Sequence, residues 1–201
     1  EPLAVAFHTL RRGGVAPGDT VAIVGAGPIG LGVLLAARAI GAGRVFVVEP
    51  ADRRRALASE LGASLTFDPR DPDIVRQVFR ATDGIGADVV VECVGRPDTA
   101  PLAVELARRG GRVVIAGIFE ESTTIQFNRV VFYEKQILGS IAYAGEFPTV
   151  IALLADGRLD PTPLITGRIG LENILSQGFD ELLRNRDRHV KILVSPNLET
   201  A

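Results

Sequence analysis

A glycine-rich hexapeptide, GAGPIG, has the G-x-G-x-x-G spacing that suits binding of a pyrophosphate group. Gly25 permits a tight turn, and Gly27 lets the backbone approach the phosphates closely. Gly30 lets the helix that follows pack against the preceding strand. Pro28 and Ile29 begin that helix, whose free amides and positive dipole end face the phosphates. A plain glycine turn is the alternative, but the predicted strand before the motif and the helix after it favour a dinucleotide site.

An acidic residue stands where a dinucleotide site needs one. Glu49 ends the next apolar run, 19 residues after Gly30, and its carboxylate can accept hydrogen bonds from ribose hydroxyls. The following arginines, Arg53 to Arg55, could instead accommodate the 2′-phosphate of NADP. A carboxylate at that place would repel the phosphate. The residues therefore favour NAD over NADP, and a solvated residue at a strand end is the alternative reading of Glu49.

The other residues with reactive or metal-binding side chains do not form a recognisable site. Cys93, His8, His189 and Glu1 belong to different predicted elements and lack the spacing of zinc ligands. We expect Cys93 to be a small buried residue at the end of a strand, and His8 to be packed or on the surface. We assign no chemistry to His189 and predict no metal ligands in this chain.

The elements that position the glycine motif alternate between strand and helix over residues 1–147. Apolar, β-branched runs predict six strands, at residues 21–24, 45–48, 65–67, 88–92, 112–116 and 136–141. Helices are predicted at 28–40, 52–61, 71–80 and 99–108, the third with Asp71 as N-cap and Pro72 as its first residue. This alternation is typical of βαβ units. The fold class is therefore α/β, a doubly wound, six-stranded parallel Rossmann sheet.

The character of the chain changes after residue 147. A helix at 149–156, a loop with Pro161 and Pro163, a helix at 171–185 and a strand at 190–194 are predicted there. We therefore divide the chain into a nucleotide-binding domain, 1–147, and a C-terminal segment, 148–201.

Composition excludes several classes of protein. The 201 residues are 47% hydrophobic and 23% charged, which argues against a disordered chain. A net charge of −2 argues against nucleic-acid binding, and one cysteine argues against a disulfide-stapled secreted fold. No apolar run approaches the roughly 20 residues of a membrane helix, so a cytoplasmic protein is expected. Because the sequence contains no methionine, we expect a fragment of a longer protein.

Several further motifs resemble the zinc-dependent medium-chain dehydrogenase/reductase (alcohol dehydrogenase) family. They include EPLAV at the start, RRGGV before the glycine motif, then TDGIGADVV, ECVG and GGRVV, and the tail motifs GFDEL and HVKILVSP. The chain is most similar to the butanediol and sorbitol dehydrogenase branch, with the Phe119-Glu120 pair favouring the butanediol enzymes. The resemblance covers essentially the whole sequence.

The resemblance implies roles for individual residues. Ile29, Glu49 and Arg54 match positions that contact the pyrophosphate and adenosine half of NAD. The nicotinamide side is implied to be lined by residues that follow three strands: Val94, Gly95, Ala116, Gly117, Ile118, Ser140, Ile141 and Ala142. Glu1 matches a glutamate beside the catalytic zinc, and Tyr143 falls where the family approaches its substrate. The family's zinc ligands and proton relay lie before the position of Glu1, outside this chain.

The implied activity is reversible hydride transfer between NAD and a secondary alcohol, such as a vicinal diol or polyol, in an enzyme that also carries zinc. We expect the fragment alone to be inactive. Residues 123–127 alternate polar and apolar side chains and could present an unpaired edge, and the resemblance implies a homodimer or homotetramer. The alternatives are a zinc-free quinone or enoyl reductase of the same superfamily and a non-catalytic NAD-sensing module.

Overall fold

A computed structural model describes residues 1–185 and 187–196. The chain divides into two compact units, Glu1–Leu159 and Asp160–Ala201. The family resemblance implies that residues 148–201 return to the catalytic domain of the whole protein, and the boundary that we place after residue 147 stays a prediction.

The first unit is built on a six-stranded, fully parallel sheet, which confirms the predicted fold class. The strand order is β3-β2-β1-β4-β5-β6. The strands are β1 Thr20–Val24, β2 Arg44–Val48, β3 Leu65–Phe67, β4 Ala87–Glu92, β5 Ala107–Ile115 and β6 Gln136–Gly139. The helices are α1 Pro2–Arg12, α2 Pro28–Ala39, α3 Asp52–Glu60, α4 Ile74–Arg80, α5 Thr99–Leu106, α6 Phe127–Val131 and α7 Phe147–Ala155.

The core lies on both faces of the sheet because the central strands are apolar along their whole length. Every residue of β1 is buried, as are the four residues of β2 after Arg44. Phe46 and Phe67 meet edge to face across the strand pair β2–β3, with ring centroids 5.7 Å apart. Parallel strands covered by helices on both faces produce this pattern.

Several element boundaries differ from the sequence prediction: β5 begins five residues earlier than predicted, β6 ends two residues earlier, and α4 and α5 are shorter than predicted. Asp71 does not cap α4, which begins at Ile74; its carboxylate instead accepts hydrogen bonds from the amide of Asp73 and the side chain of Gln77. The prediction also extends α5 to residue 108, whereas the helix ends at Leu106 and β5 begins at once. The errors in α4 and α5 arise because side-chain and cross-strand hydrogen bonds compete with helical hydrogen bonds near a helix terminus.

The predicted edge at residues 123–127 does not form a strand. Residues 123–126 have no regular structure and Phe127 begins α6. The Thr123 hydroxyl donates to the carbonyl of Pro97 over 2.6 Å, and Ile125 packs against the core of the unit. An extended segment becomes a strand only where a neighbour supplies hydrogen bonds, so an alternating pattern by itself does not make a strand.

The second unit contains a two-stranded parallel sheet of β7 Ile165–Gly170 and β8 Lys191–Ser195. The helix predicted at 171–185 is wrong as one element: a 3₁₀ turn Leu171–Asn173 is followed by a π-helix Ile174–Phe179 and by α8 Asp180–Arg184. Among the helices of residues 1–185 and 187–196, none combines the length and apolarity needed to cross a membrane.

Candidate functional site

The carboxyl ends of the parallel strands meet along one edge of the sheet. The chain proceeds outward in opposite directions from β1 and from β4, so the strand order reverses between these two neighbours. Ligands of doubly wound sheets bind outside the carboxyl ends at such a switch point. The glycine motif, Glu49 and the three segments after β4, β5 and β6 all follow strands at this edge.

The glycine motif joins β1 to α2 with the geometry that a phosphate site needs. Gly25 adopts φ +101°, in the left-handed region that favours glycine. Gly27 is the N-cap of α2, Pro28 occupies the first turn, and no side chain caps the helix. A Cβ atom added to Gly27 would meet nothing within 4 Å. The first-turn amides therefore face open space that an anion can occupy.

Close packing of α2 depends on Gly30. A Cβ atom on Gly30 would lie 1.9 Å from the carbonyl oxygen of Gly25, so only glycine brings the helix this near to the turn. Two residues later, a Cβ atom on Gly32 would make ordinary contact with Ala6 of α1, 3.4 Å away. Gly30 thus sets the position of the helix N-terminus relative to β1.

Glu49 lies directly after β2, buried beside the glycine motif. Its Oε2 accepts a hydrogen bond from the Ala26 amide over 2.7 Å, and its Oε1 accepts one from the Ala51 amide over 3.0 Å. Each carboxylate oxygen can accept a second hydrogen bond. The carboxylate therefore orders the glycine turn and retains capacity to accept from ribose hydroxyls.

The three arginines after Glu49 differ in their surroundings. Arg55 turns inward: its guanidinium donates to the carbonyl of Glu49, pairs with Asp52 and lies 3.7 Å from Asp68. Arg53 is exposed and Arg54 is half-buried. The adenosine contact that the resemblance implies for Arg54 stays a prediction.

The segments implied to line the nicotinamide side are packed against one another. A Cβ atom on Gly95, which follows β4 at φ +79°, would lie 2.2 Å from the carbonyl oxygen of Ile118, which follows β5. A Cβ atom on Gly117 would lie 2.3 Å from the amide nitrogen of Gly95. Val94 and Ile118 expose their side chains at this edge. The amides of Ala116 and Gly117 both donate to the carbonyl oxygen of Glu92.

Glu92 is a residue of this edge whose role sequence reasoning missed. It ends β4, its side chain is fully buried, and its Oε1 accepts hydrogen bonds from the amides of Val94 and Gly95, each 2.8 Å away. The sequence signal that could have identified it is the acidic residue at the end of the strand ADVVVE. Buried acids are rare unless they are bonded.

The segment after β6 is tied to α1. The Ser140 amide donates to the carbonyl of Ile115, and the Ser140 hydroxyl lies 3.1 Å from that of Thr9, which donates to the carbonyl of Val5. Ile141 is largely exposed and Ala142 has a positive φ of 50°. Thr9, which sequence reasoning also missed, connects the first helix with this segment.

An ion cluster fixes the start of α7 against α1. Glu146, buried at the N-cap of α7, lies 3.0 Å from His8 and 2.8 Å from Arg11, so His8 is a packed residue as predicted. Burial raises the pKa of Glu146, but hydrogen bonds from His8 and Ala144 and the charge of Arg11 outweigh it and lower that pKa. Tyr143, implied near the substrate, stacks edge to face on Phe147 with centroids 4.9 Å apart.

The described residues do not fit a resident zinc ion. Within residues 1–185 and 187–196, no three His, Cys, Asp or Glu side chains are grouped so as to hold a metal. Glu1, the implied zinc neighbour, is an exposed N-cap of α1. Cys93 directly follows β4 and is half-buried rather than fully buried as expected; desolvation, together with the charge of Glu92, raises the pKa of its thiol. His189 lies 3.1 Å from Glu181, in the second unit.

Comparison with known proteins points to one group. The family described as zinc-binding dehydrogenase matches residues 28–156. (R,R)-butanediol dehydrogenase of Neisseria gonorrhoeae is 36% identical over 199 residues, and human sorbitol dehydrogenase is 34% identical; each alignment covers 98% of this chain and 56% of the relative. The chain thus spans about half the length of these relatives.

Solved structures agree in fold. The crystal structure of 2R,3R-butanediol dehydrogenase from Bacillus subtilis superposes with a TM-score of 0.92 at 36% identity, covering 98% of this chain and 56% of that one. Similar structures have been solved with NADH, for an alcohol dehydrogenase of Escherichia coli CFT073, and with NADP, for a zinc-binding dehydrogenase of Sinorhizobium meliloti 1021. The comparisons therefore include both nicotinamide cofactors.

Proposed function

This chain belongs to the zinc-binding dehydrogenase family, and from that premise we propose that it is the NAD-binding part of an alcohol dehydrogenase. The reaction proposed for the whole protein is reversible hydride transfer between NAD and a secondary alcohol, with a vicinal diol or polyol as substrate. The observation that carries the proposal is the glycine turn at the switch point of the sheet. Its open space above Gly27 and its buried acidic neighbour Glu49 together suit a dinucleotide.

The residues of this chain bind and orient the cofactor rather than transform it. The first-turn amides of α2 hold the pyrophosphate, and Glu49 accepts from the adenosine ribose. The backbone of residues 94–95, 116–118 and 140–142 forms the wall beside the nicotinamide. When the cofactor is bound, the nicotinamide of NAD would accept the hydride and that of NADH would donate it. Tyr143 stands on the substrate side of that wall.

Zinc, in this proposal, is held by residues outside this chain, as the family resemblance implies; side chains within residues 1–185 and 187–196 offer no ligand set. Glu1 would stand beside the metal rather than bind it in a site of its own. The 201-residue chain should therefore bind NADH, measured by a change in cofactor fluorescence on titration. It should not reduce NAD in the presence of butanediol or sorbitol, with or without added zinc. Zinc-dependent turnover by the pure chain would contradict this assignment.

Preference for NAD over NADP rests on Glu49. NADP replaces a ribose hydroxyl with a phosphate of about −1.5 to −2 charges, which the buried carboxylate would repel. We expect NAD to bind at least about tenfold more tightly, or roughly 1.4 kcal/mol. Glu49→Ser should weaken NAD binding and strengthen NADP binding, because Arg53 and Arg54 can then pair with the phosphate.

A matched control is Glu60→Ser, since Glu60 is an exposed acid at the end of α3. This control should leave both affinities unchanged. Equal binding of NAD and NADP by the parent chain, or no response to Glu49→Ser, would mean that Glu49 only orders the glycine turn.

Two other functions make different predictions. A zinc-free quinone or enoyl reductase of the same superfamily would show no metal and no alcohol-dependent NAD reduction in the whole protein. A non-catalytic sensing module would bind NAD but would not turn over an alcohol even with zinc present. Zinc content and alcohol-dependent NAD reduction of the whole protein separate these alternatives.

We also propose a homodimer, or a larger assembly built on one, and a cytoplasmic location. Large apolar side chains on the segments around β6 support the assembly because they are largely exposed in the single chain, as interface residues are. They are Phe127, Val131 and Phe132, on α6 and directly after it.

A further inference from the structure

Glu92 is a fully buried acid at the edge of the sheet where the cofactor is proposed to bind. It ends β4, between the apolar strand and the turn at Val94 and Gly95. Burying a carboxylate in this way is costly unless hydrogen bonds or charges compensate. The surroundings of its oxygens therefore indicate what the residue does.

One carboxylate oxygen is bonded three times, twice to the turn that follows β4 and once to the first residue of α5. Oε1 lies 2.8 Å from the amide nitrogens of Val94 and Gly95 and 2.8 Å from the Thr99 hydroxyl. The main-chain oxygen of the same residue accepts from Ala116 at 2.8 Å and Gly117 at 3.0 Å, in the turn after β5. Glu92 is thus bonded to both turns implied to line the nicotinamide side.

The second oxygen differs from the first. Oε2 is buried and has no hydrogen-bond partner within the described part of the chain. A Cβ atom on Gly117 would lie 2.4 Å from it, so only a glycine fits there. Within residues 1–185 and 187–196, the groups that bond to the carboxylate of Glu92 are two amides and one hydroxyl, and no cationic side chain pairs with it. Its negative charge is therefore balanced only by dipoles.

We propose that Glu92 is a positioning residue that fixes the two nicotinamide-side turns and whose buried charge favours the oxidised cofactor over the reduced one. This inference rests on the proposed NAD site. The nicotinamide ring is positively charged in NAD and neutral in NADH, so a nearby carboxylate attracts only the oxidised form. Such an attraction is strong where water is excluded.

The test uses Glu92→Gln, which keeps the size of the side chain and one acceptor oxygen but removes the charge. Three ligands are titrated: NADH, NAD and ADP-ribose, which has the adenosine and pyrophosphate groups but no nicotinamide. The matched control is Asp88→Asn, on the same strand at its opposite end, where the carboxylate accepts from Thr20 and Arg108. Asp88 contributes to packing but not to the carboxyl edge.

The expected result separates the two halves of the cofactor. Glu92→Gln should bind ADP-ribose with an affinity within about twofold of the parent and should bind NADH at least about fivefold more weakly than the parent. Its loss of affinity for NAD should be at least about threefold greater than its loss of affinity for NADH. Asp88→Asn should leave all three affinities within twofold. An equal loss for all three ligands, or an unchanged ratio of NAD to NADH affinity, would overturn the inference. A parent chain that binds no ADP-ribose would overturn the proposed function itself.

A second variant keeps the inference testable if Glu92→Gln fails to fold. Thr99→Val removes one donor to Oε1 and retains the charge. NADH and NAD should then weaken together by about two- to threefold, with their ratio and the affinity for ADP-ribose unchanged. A changed ratio in this variant would contradict the assignment of the ratio to the charge of Glu92.

Discussion

Replacing Gly27 with alanine should weaken cofactor binding strongly without destabilising the chain. Gly27 adopts φ −78° and ψ −174°, which alanine tolerates, and its Cβ atom would meet nothing within 4 Å. Lower entropy of the unfolded chain stabilises by about 0.4–1 kcal/mol, and the poorer N-cap costs a similar amount. The melting temperature should therefore stay within about 2 °C of the parent value.

The binding effect follows from the same open space. The added methyl group would occupy the place that the proposed pyrophosphate needs beside the first-turn amides of α2. Hydrogen bonds to charged groups contribute about 1.5–3 kcal/mol each. Losing one such contact, about 2 kcal/mol, corresponds to roughly thirtyfold weaker NADH binding. Fluorescence titration measures the affinity, and thermal unfolding followed by circular dichroism measures the stability.

Two glycines of the same helix provide the comparison. Gly30→Ala would place a Cβ atom 1.9 Å from the Gly25 oxygen, so it should lower stability by about 1–3 kcal/mol, or about 3–10 °C, as well as weaken binding. Gly32→Ala makes only ordinary contact at 3.4 Å and should leave NADH affinity unchanged. A Gly27→Ala chain that binds NADH like the parent would refute the phosphate role of this turn.

Three further predictions concern stability, reactivity and assembly. The lowered pKa of Glu146 means that its carboxylate stabilises the fold fully above its ordinary value of 4.5 and that this stabilisation is lost as the pH falls toward the folded-state pKa. Denaturant unfolding of Glu146→Gln should therefore show a free energy of unfolding that depends less on pH between pH 5 and 3, and that is about 2 kcal/mol lower than that of the parent at pH 7. Parallel plots of the free energy of unfolding against pH for parent and variant would contradict this. The raised pKa of Cys93 should leave its thiol unreactive toward a disulfide reagent at pH 8 until the chain is denatured, whereas rapid native labelling would show an accessible thiolate. Phe132→Glu should convert a dimer to a monomer in light scattering while Ile85→Glu, at another exposed site, should not; a monomeric parent would remove the basis for the assembly.

The glycine motif and the central strands could be predicted because their signals are local. A run such as VAIV in β1 is buried on both faces wherever it lies in a parallel sheet, so its apolar character alone indicates a strand. The turn at Gly25 and Gly27 and the spacing to Glu49 are likewise set by the geometry of one βαβ unit. These features establish the fold class and the half of the site that would hold the phosphates and adenosine.

The remaining features depend on partners distant in sequence, which no local pattern encodes. Glu146 meets His8 across 138 positions, and Thr9 meets Ser140 across 131. The strand β7 is paired with β8, whereas its two glycines by themselves favour a loop. Only the folded chain supplies these neighbours.

Glu92 shows this division most clearly. The sequence determined that an acid ends an apolar strand, but not whether that acid faces water or the protein. The tertiary structure decided that β5 lies beside β4, which brings Gly117 against the turn at Gly95 and leaves no room for solvent around the carboxylate. The physical reason is that burial and hydrogen bonding are properties of packed neighbours, whereas strand and turn preferences belong to the residues themselves.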